Sequence, residues 1–297
     1  MKTYADLVGD GGSDILGQVQ AQRERLASRL SRIRRTVAVM SGKGGVGKST
    51  LTANLALALA GAGLRVGVLD ADLNGPCMGQ ILGIRGNRLA LGPDGALPAE
   101  GPLGVRVMSM DLLLTGEGVP LRWKAPSRQD AHVWRQSMEA TALREFLSDT
   151  AWGELDCLLV DLPPGSDRLP TLAGLVPRLA ATVVVTLPTL VSGRVVHKSI
   201  TAAREHVPDS PMGLVENMAT YCCPACGTEG RLFPGGAEAV AQEAGIACWG
   251  RIPFDPRMAD CADAGVPFLI AHAESATARA IQALAETLHR VMEVQET

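Results

Sequence analysis

The chain has 297 residues, of which 46% are hydrophobic, 20% charged and only 3% aromatic. That is enough for one large α/β domain or two small ones, with a core built mostly from Ala, Leu and Val. A net charge of -3 gives no global pull towards nucleic acid or an acidic membrane, and the most apolar stretch, broken by Pro188, is shorter than the roughly 20 residues of a spanning helix.

Residues 1–14 are polar and glycine-rich and lack the apolar centre of a signal peptide, so a cytoplasmic location is expected. There the seven cysteines are expected as thiols or metal ligands rather than disulfides. Over residues 15–35, Leu16, Val19, Leu26, Leu30 and Ile33 recur at near-helical spacing. Residues 23–35 hold six arginines and one glutamate. A nucleic-acid arm would interleave aromatic residues for stacking; this segment has none and is expected to pack on its own domain. The chain is divided accordingly, with a tail and arginine-rich helix over 1–35 and one nucleotide-binding domain over 36–297.

From residue 36 the chain alternates. The runs "TVAVM", "RVGVLDA", "GVRVMSM", "DCLLVDLP", "TVVVTLP", "MGLVENM" and "CWGRIP" read as strands, and 49–62, 140–147, 191–206 and 275–292 as helices. Leu51, Leu55 and Leu59 form one stripe on the first of these helices. Ile281, Leu284, Leu288 and Val291 form one face of the last, whose acidic residues argue against a basic membrane anchor. Near-continuous apolar strands between helices predict an α/β fold with a mostly parallel sheet covered on both faces.

"SGKGGVGKST" sits between the first strand and the first long helix, the context that gives a phosphate-binding loop its meaning. The backbone of Gly42, Lys43, Gly44, Gly45, Val46, Gly47, Lys48, Ser49 and Thr50 is expected to cradle the phosphates of ATP at a helix N-terminus. Lys48 reaches the β- and γ-phosphates, and the Ser49 hydroxyl ligates Mg²⁺. Lys43, directly after Gly42, has no place in the ordinary loop. It is positioned to reach a triphosphate held by a facing subunit and to act there as an arginine finger does. Two further strand ends carry carboxylates: Asp70 and Asp72 in "VLDAD", and Asp161 in "CLLVDLPPG". The N–H of Gly165 is a candidate sensor of the γ-phosphate.

"ENMATYCCPACG" contributes Cys222, Cys223 and Cys226. The C-x-x-C pair is half of a tetrahedral thiolate set. Two chains could complete it across a two-fold axis, Cys248 and Cys261 could complete it as zinc ligands, or the pair could be a redox dithiol. Cys77, Cys157 and Cys248 read as packing residues.

"GKGGVGKST" resembles the deviant phosphate loop of dimerising ATPases. These include the nitrogenase iron protein, the septum-site and chromosome-partitioning ATPases and the Mrp-type iron–sulfur carriers. The C-x-x-C after "ENM", together with "LDADLNGPCMGQILGI" and "WGRIPFDPRMADCADAGVPF", makes the chain similar to the Mrp-type carriers in particular, from about residue 32 to 268. That resemblance implies catalytic roles for Lys43, Lys48 and Asp72, the last in switch I, and a Walker-B role for Asp161. It implies adenine contact by Asn217, with Pro253 and Asp255 near the base. It also implies a homodimer in which Cys223 and Cys226 of two subunits share a [4Fe–4S] cluster destined for apoproteins, with neither nucleic acid nor membrane as partner. The rival readings are a positioning ATPase with structural zinc and an electron-passing ATPase resembling the nitrogenase iron protein. The chain departs from the carriers' usual pattern at "PPGSDR", where Asp167 and Arg168 stand in the switch-II tail, at "WRQSM", and in the long segment before it.

Overall fold

A computed structural model describes residues 15–87, 89–113, 131–165, 168–223 and 226–294. The tail 1–14, most of the long segment before "WRQSM", and Ser166 and Asp167 lie outside the described residues.

In chain order the elements are α1 (Ile15–Leu30), β1 (Thr36–Ser41), α2 (Lys48–Gly61), β2 (Val66–Asp70), α3 (Met78–Ile81), β3 (Ala90–Gly92), β4 (Gly95–Leu97), β5 (Ala99–Glu100) and β6 (Arg106–Met108). They continue with α4 (Ala131–Asp149), β7 (Cys157–Asp161), α5 (Leu169–Leu175), β8 (Ala181–Thr186), α6 (Leu190–His206), β9 (Met212–Cys222) and β10 (Glu229–Gly230). The chain closes with α7 (Ala237–Ala244), β11 (Ala247–Phe254), α8 (Arg257–Ala264), α9 (Phe268–Ala271) and α10 (Ala276–Val294). The main sheet runs β10-β9-β8-β1-β7-β2-β6-β5, with β11 also on β9. All its pairings are parallel except the short edges β5–β6 and β10–β9.

The central strands are buried at every position because both faces are covered. Along β1, Val37 and Val39 enter one core while Ala38 and Met40 enter the other. Along β7, Cys157 and Leu159 face the first core and Leu158 and Val160 the second. This is the period-two alternation of a pleated strand buried on both sides. α2 and α10 fill the first core; α1, α4, α5 and α6 contribute to the second.

Three details depart from expectation. α2 is not striped: Leu51 through Leu59 are all buried, because the helix lies between the sheet and α10. α1 stops at Leu30, and residues 33 and 34 join the sheet margin instead, Arg34 N–H donating to the Leu155 carbonyl at 2.9 Å. β9 runs on past Met218 to Cys222 and so carries the cysteines at its end. Arginines in and just after the first helix dock on the domain itself: Arg25 on Asp149 at 3.4 Å and Arg29 on the Asp94 carbonyl from the helix, and Arg32, beyond its end, on Glu154 at 2.8 Å.

Candidate functional site

The phosphate loop turns between the end of β1 and the first turn of α2. Gly45 and Gly47 hold φ of 75° and 79°, a region costly for side-chain-bearing residues. Gly42 lies against α6, where an added methyl would press on Val195 and Ser199. Ser41 Oγ closes the turn by donating to the Lys43 carbonyl at 3.0 Å. The Lys43 side chain is half-buried and takes no ion-pair partner among the described residues.

Behind the loop lies a buried charge cluster. Asp161 is fully buried; its Oδ2 accepts from Ser49 Oγ at 2.6 Å and pairs with Lys48 Nζ at 2.7 Å, and its Oδ1 accepts from Thr52 Oγ1 at 2.8 Å. Asp70, on the neighbouring strand and equally buried, is paired in register with Asp161. Asp70 Oδ2 accepts from Ser109 Oγ at 2.9 Å and from the N–H groups of Cys77 and Met78. Its Oδ1 accepts from Asp72 N–H at 3.2 Å. Burial, and next the charge of Asp161, push the Asp70 carboxyl up to about 7. Two buried carboxylates beside a serine hydroxyl are a donor set that fits a hard divalent cation.

Asp72 is half-exposed at the mouth of this cluster and folds its own loop, Oδ1 accepting from Gly75 N–H at 3.2 Å. Gly165 donates its N–H to the Ser41 carbonyl at 2.8 Å, so the candidate phosphate sensor is tied to the phosphate loop itself.

Cys77 packs against the first core, as expected from the sequence, and it has a second set of contacts as well. The structure puts it at the head of α3 with its thiol against the Ser49 hydroxyl, inside the site, and burial pushes that thiol up to about 12. No local pattern in the sequence marks that contact.

Asn217 is buried, and its Nδ2 donates to the Val46 carbonyl at 2.8 Å. Next to it, Met218 adopts φ 57°, an uncommon conformation for a side-chain-bearing residue. A cleft opens here, lined by Gly47, Thr50, Asn217, Met218, Pro253, Phe254, Asp255 and Met258. Pro253, Phe254 and Asp255, from the "IPFDP" segment singled out in the sequence, line this cleft together with the phosphate loop's Gly47 and Thr50; Met218 and Met258 were not named from the sequence. Asp255 is engaged by Arg257, Nη2 to Oδ2 at 2.6 Å, which holds its carboxyl below the ordinary range.

At the far end of β9, Cys223 and Cys226 form a small knuckle. Cys223 N–H donates to the Thr228 carbonyl at 3.0 Å, and Gly227 N–H to the Cys223 carbonyl at 2.8 Å. Cys222 and Cys226 are exposed. The Cys226 thiol is lowered by the Thr228 hydroxyl at 3.2 Å, with Cys223 also contributing. The zinc alternative does not assemble. Cys261 is buried in the first core and Cys248 packs against the second, across the sheet. No group of three or more His, Cys, Asp or Glu side chains placed to hold a metal forms among the described residues.

A family model described as ParA: NUBPL iron-transfer P-loop NTPase matches residues 32–289. The chain belongs to that family. This NTPase is 38% identical to an iron-sulfur cluster carrier protein of Saccharolobus solfataricus, over 93% of this chain and 90% of the relative. It is 39% identical to the cytosolic Fe-S cluster assembly factor CFD1 of Eremothecium gossypii, over 76% of this chain and 80% of that one. A nucleotide-binding protein from Archaeoglobus fulgidus, solved in complex with ADP, superposes on this NTPase with a TM-score of 0.69 at 37% identity, covering 82% of this chain and 92% of that chain. The cell division ATPase MinD of Pyrococcus furiosus shares the fold, with a TM-score of 0.61 at 21% identity.

Proposed function

We propose that this NTPase is an iron–sulfur cluster carrier: a cytoplasmic homodimer that binds and slowly hydrolyses Mg-ATP and passes a [4Fe–4S] cluster to apoproteins. The observation that carries this reading is the strand joining the two chemistries. β9 is bonded to the phosphate loop through Asn217 and ends at the thiols, six residues on at Cys223. At about 3.3 Å per residue the two lie roughly 20 Å apart along one strand. A shift of the loop on nucleotide binding therefore moves the cluster ligands.

The base of ATP enters the cleft between Met218 and Phe254, and Asn217 and Gly47 form its floor. Lys48 exchanges Asp161 for the β- and γ-phosphates. Ser49 and Asp161 would hold magnesium, which when bound would neutralise phosphate charge. Asp72 orients a water towards the γ-phosphorus; the new P–O bond forms as the bond to the bridging oxygen of ADP breaks, and the water proton leaves with the phosphate. The partner subunit's Lys43 stabilises the charge that develops. Cys223 and Cys226 of each subunit supply the four thiolates of the bridging cluster, which is cargo.

Anaerobic reconstitution with iron and sulfide tests this. A brown dimer with about four irons, lost in Cys223→Ala, is the expected result. A colourless protein holding one tight zinc per monomer would make the cysteines structural and sink the carrier reading.

A further inference from the structure

One carboxylate outside the nucleotide cleft touches both loops that would face the γ-phosphate. Glu139, on α4, is 8% exposed. Its Oε1 accepts from Asn74 Nδ2 at 2.8 Å, and its Oε2 is ion-paired with the Arg168 guanidinium. Asn74 lies in the loop built around Asp72, one residue before Gly75, whose N–H the Asp72 carboxylate holds. Arg168 lies three residues after Gly165 and heads α5. The Arg168 side chain is itself only 20% exposed. A buried carboxylate with one charged and one amide partner resists losing either, because little water is at hand to replace them.

We propose that Glu139 is a positioning residue that couples the Asp72 loop to the Gly165 segment, so that the two respond to nucleotide together. The inference rests on the ATPase reading above. Gly165 N–H is committed to the Ser41 carbonyl. To meet a terminal phosphate it must leave that bond, and Arg168, three residues on, is displaced with it. Glu139 keeps its charged partner only by following, and through Asn74 the loop that holds Asp72 follows too. The water-orienting carboxylate and the phosphate sensor then arrive in concert. Arg168 is one of the positions where "PPGSDR" departs from the usual switch-II tail, and Glu139 directly follows "WRQSM".

The test combines steady-state kinetics with hydrogen–deuterium exchange on the full chain, for wild type, E139Q, R168M, the double variant and R168K. In the wild type, an ATP analogue is expected to change exchange in peptides covering 72–78 and 168–175 together. In E139Q only one of the two should respond. The kinetic expectation is a kcat lowered about tenfold or more, with the KM for ATP little changed. R168M should match E139Q, the double variant should be no worse than either single, and R168K should restore most of kcat. Both peptides responding in E139Q as in wild type would overturn the inference, as would additive losses of kcat, KM and thermal stability. So would a wild type in which the two peptides respond independently or not at all. Coupled exchange in a wild type that does not hydrolyse ATP would sink the ATPase reading and leave the coupling standing. Should E139Q fail to fold, N74A breaks the same link from the exposed loop, with the same expected split.

Discussion

The side-chain amide of Asn217 donates to the carbonyl of Val46 over 2.8 Å, and this bond pins the strand that carries the thiols to the loop that would carry the phosphates. Val46 is itself buried, so its carbonyl has no ready substitute for that partner. Asn217→Ala should cost about 1–3 kcal/mol of stability, the price of one orphaned buried acceptor. It should also weaken ADP binding, because the cleft floor loses its anchor. Gly47→Ala attacks the same contact from the other side: its φ is 79°, and the added methyl collides with Asn217 Nδ2. Urea unfolding and calorimetric titration with ADP check both variants. Wild-type affinity in Asn217→Ala would show that the bond serves packing alone.

Lys43 separates binding from turnover. Its half-buried side chain makes no ion pair among the described residues, whereas Lys48 is committed to Asp161 at 2.7 Å. Lys43→Ala should lower ATP hydrolysis by ~10²-fold or more, in the manner of a removed arginine finger, and leave ATP affinity near wild type. Mixing Lys43→Ala with an Asp72→Asn variant should restore part of the activity, since each mixed dimer then holds one complete site. Parallel loss of binding and hydrolysis would argue that Lys43 serves its own loop.

The sheet was legible because its strands are buried on both faces. "CLLVD" and "TVVVT" have no polar face to confuse them with surface helices, and each became a central strand. The phosphate loop was legible because backbone geometry demands its glycines. The β3–β4 hairpin was missed although Pro93, Asp94 and Gly95 are turn residues. Its strands are three residues each and largely exposed, so they carry no hydrophobic period. α2 was misread as striped because apolar alanines between the leucines hide the difference between one buried face and burial all round. Cys77 and Glu139 were invisible for another reason. Their roles come from contacts across 28 and 29 residues or more, to Ser49 and Arg168, and no local pattern announces a tertiary contact.

Acid should expose one electrostatic tie at the base of the sheet. Asp156 accepts from Arg65 through both carboxylate oxygens, at 2.8 and 3.0 Å, and from the Arg65 backbone N–H at 2.9 Å. The Arg65 side-chain hydrogen bond leads in lowering the Asp156 carboxyl from 3.8 to about 2. A carboxyl depressed on folding stabilises the protein fully above its unfolded value. That contribution fades below about pH 4 and is gone once pH has fallen through 2. Asp156→Asn should therefore lower the urea midpoint at neutral pH, and the difference from wild type should close as pH falls from 4 towards 2. The effect is small, because the pair opens to solvent. A difference that stays constant across this window would assign the loss to packing.

The cysteines should separate by reactivity, and the order follows from their surroundings. Alkylation proceeds through the thiolate, so both exposure and a lowered pKa favour it. Cys226 has both: it is exposed, and the Thr228 hydroxyl stabilises its thiolate. Cys157 has neither, being fully buried beside Met292, with burial pushing its thiol up to about 12. In pulsed iodoacetamide labelling of the folded protein at pH 7.5, read by mass spectrometry, Cys226 should react first and Cys157 only after denaturation. Thr228→Val removes the hydroxyl and keeps the shape, so it should slow Cys226 without touching Cys157. The same thiolate is what a soft metal or cluster would take, so the variant should also load less iron on reconstitution. Labelling of Cys226 at an unchanged rate in Thr228→Val would mean that exposure alone sets its reactivity and that the hydroxyl has no part in preparing the ligand.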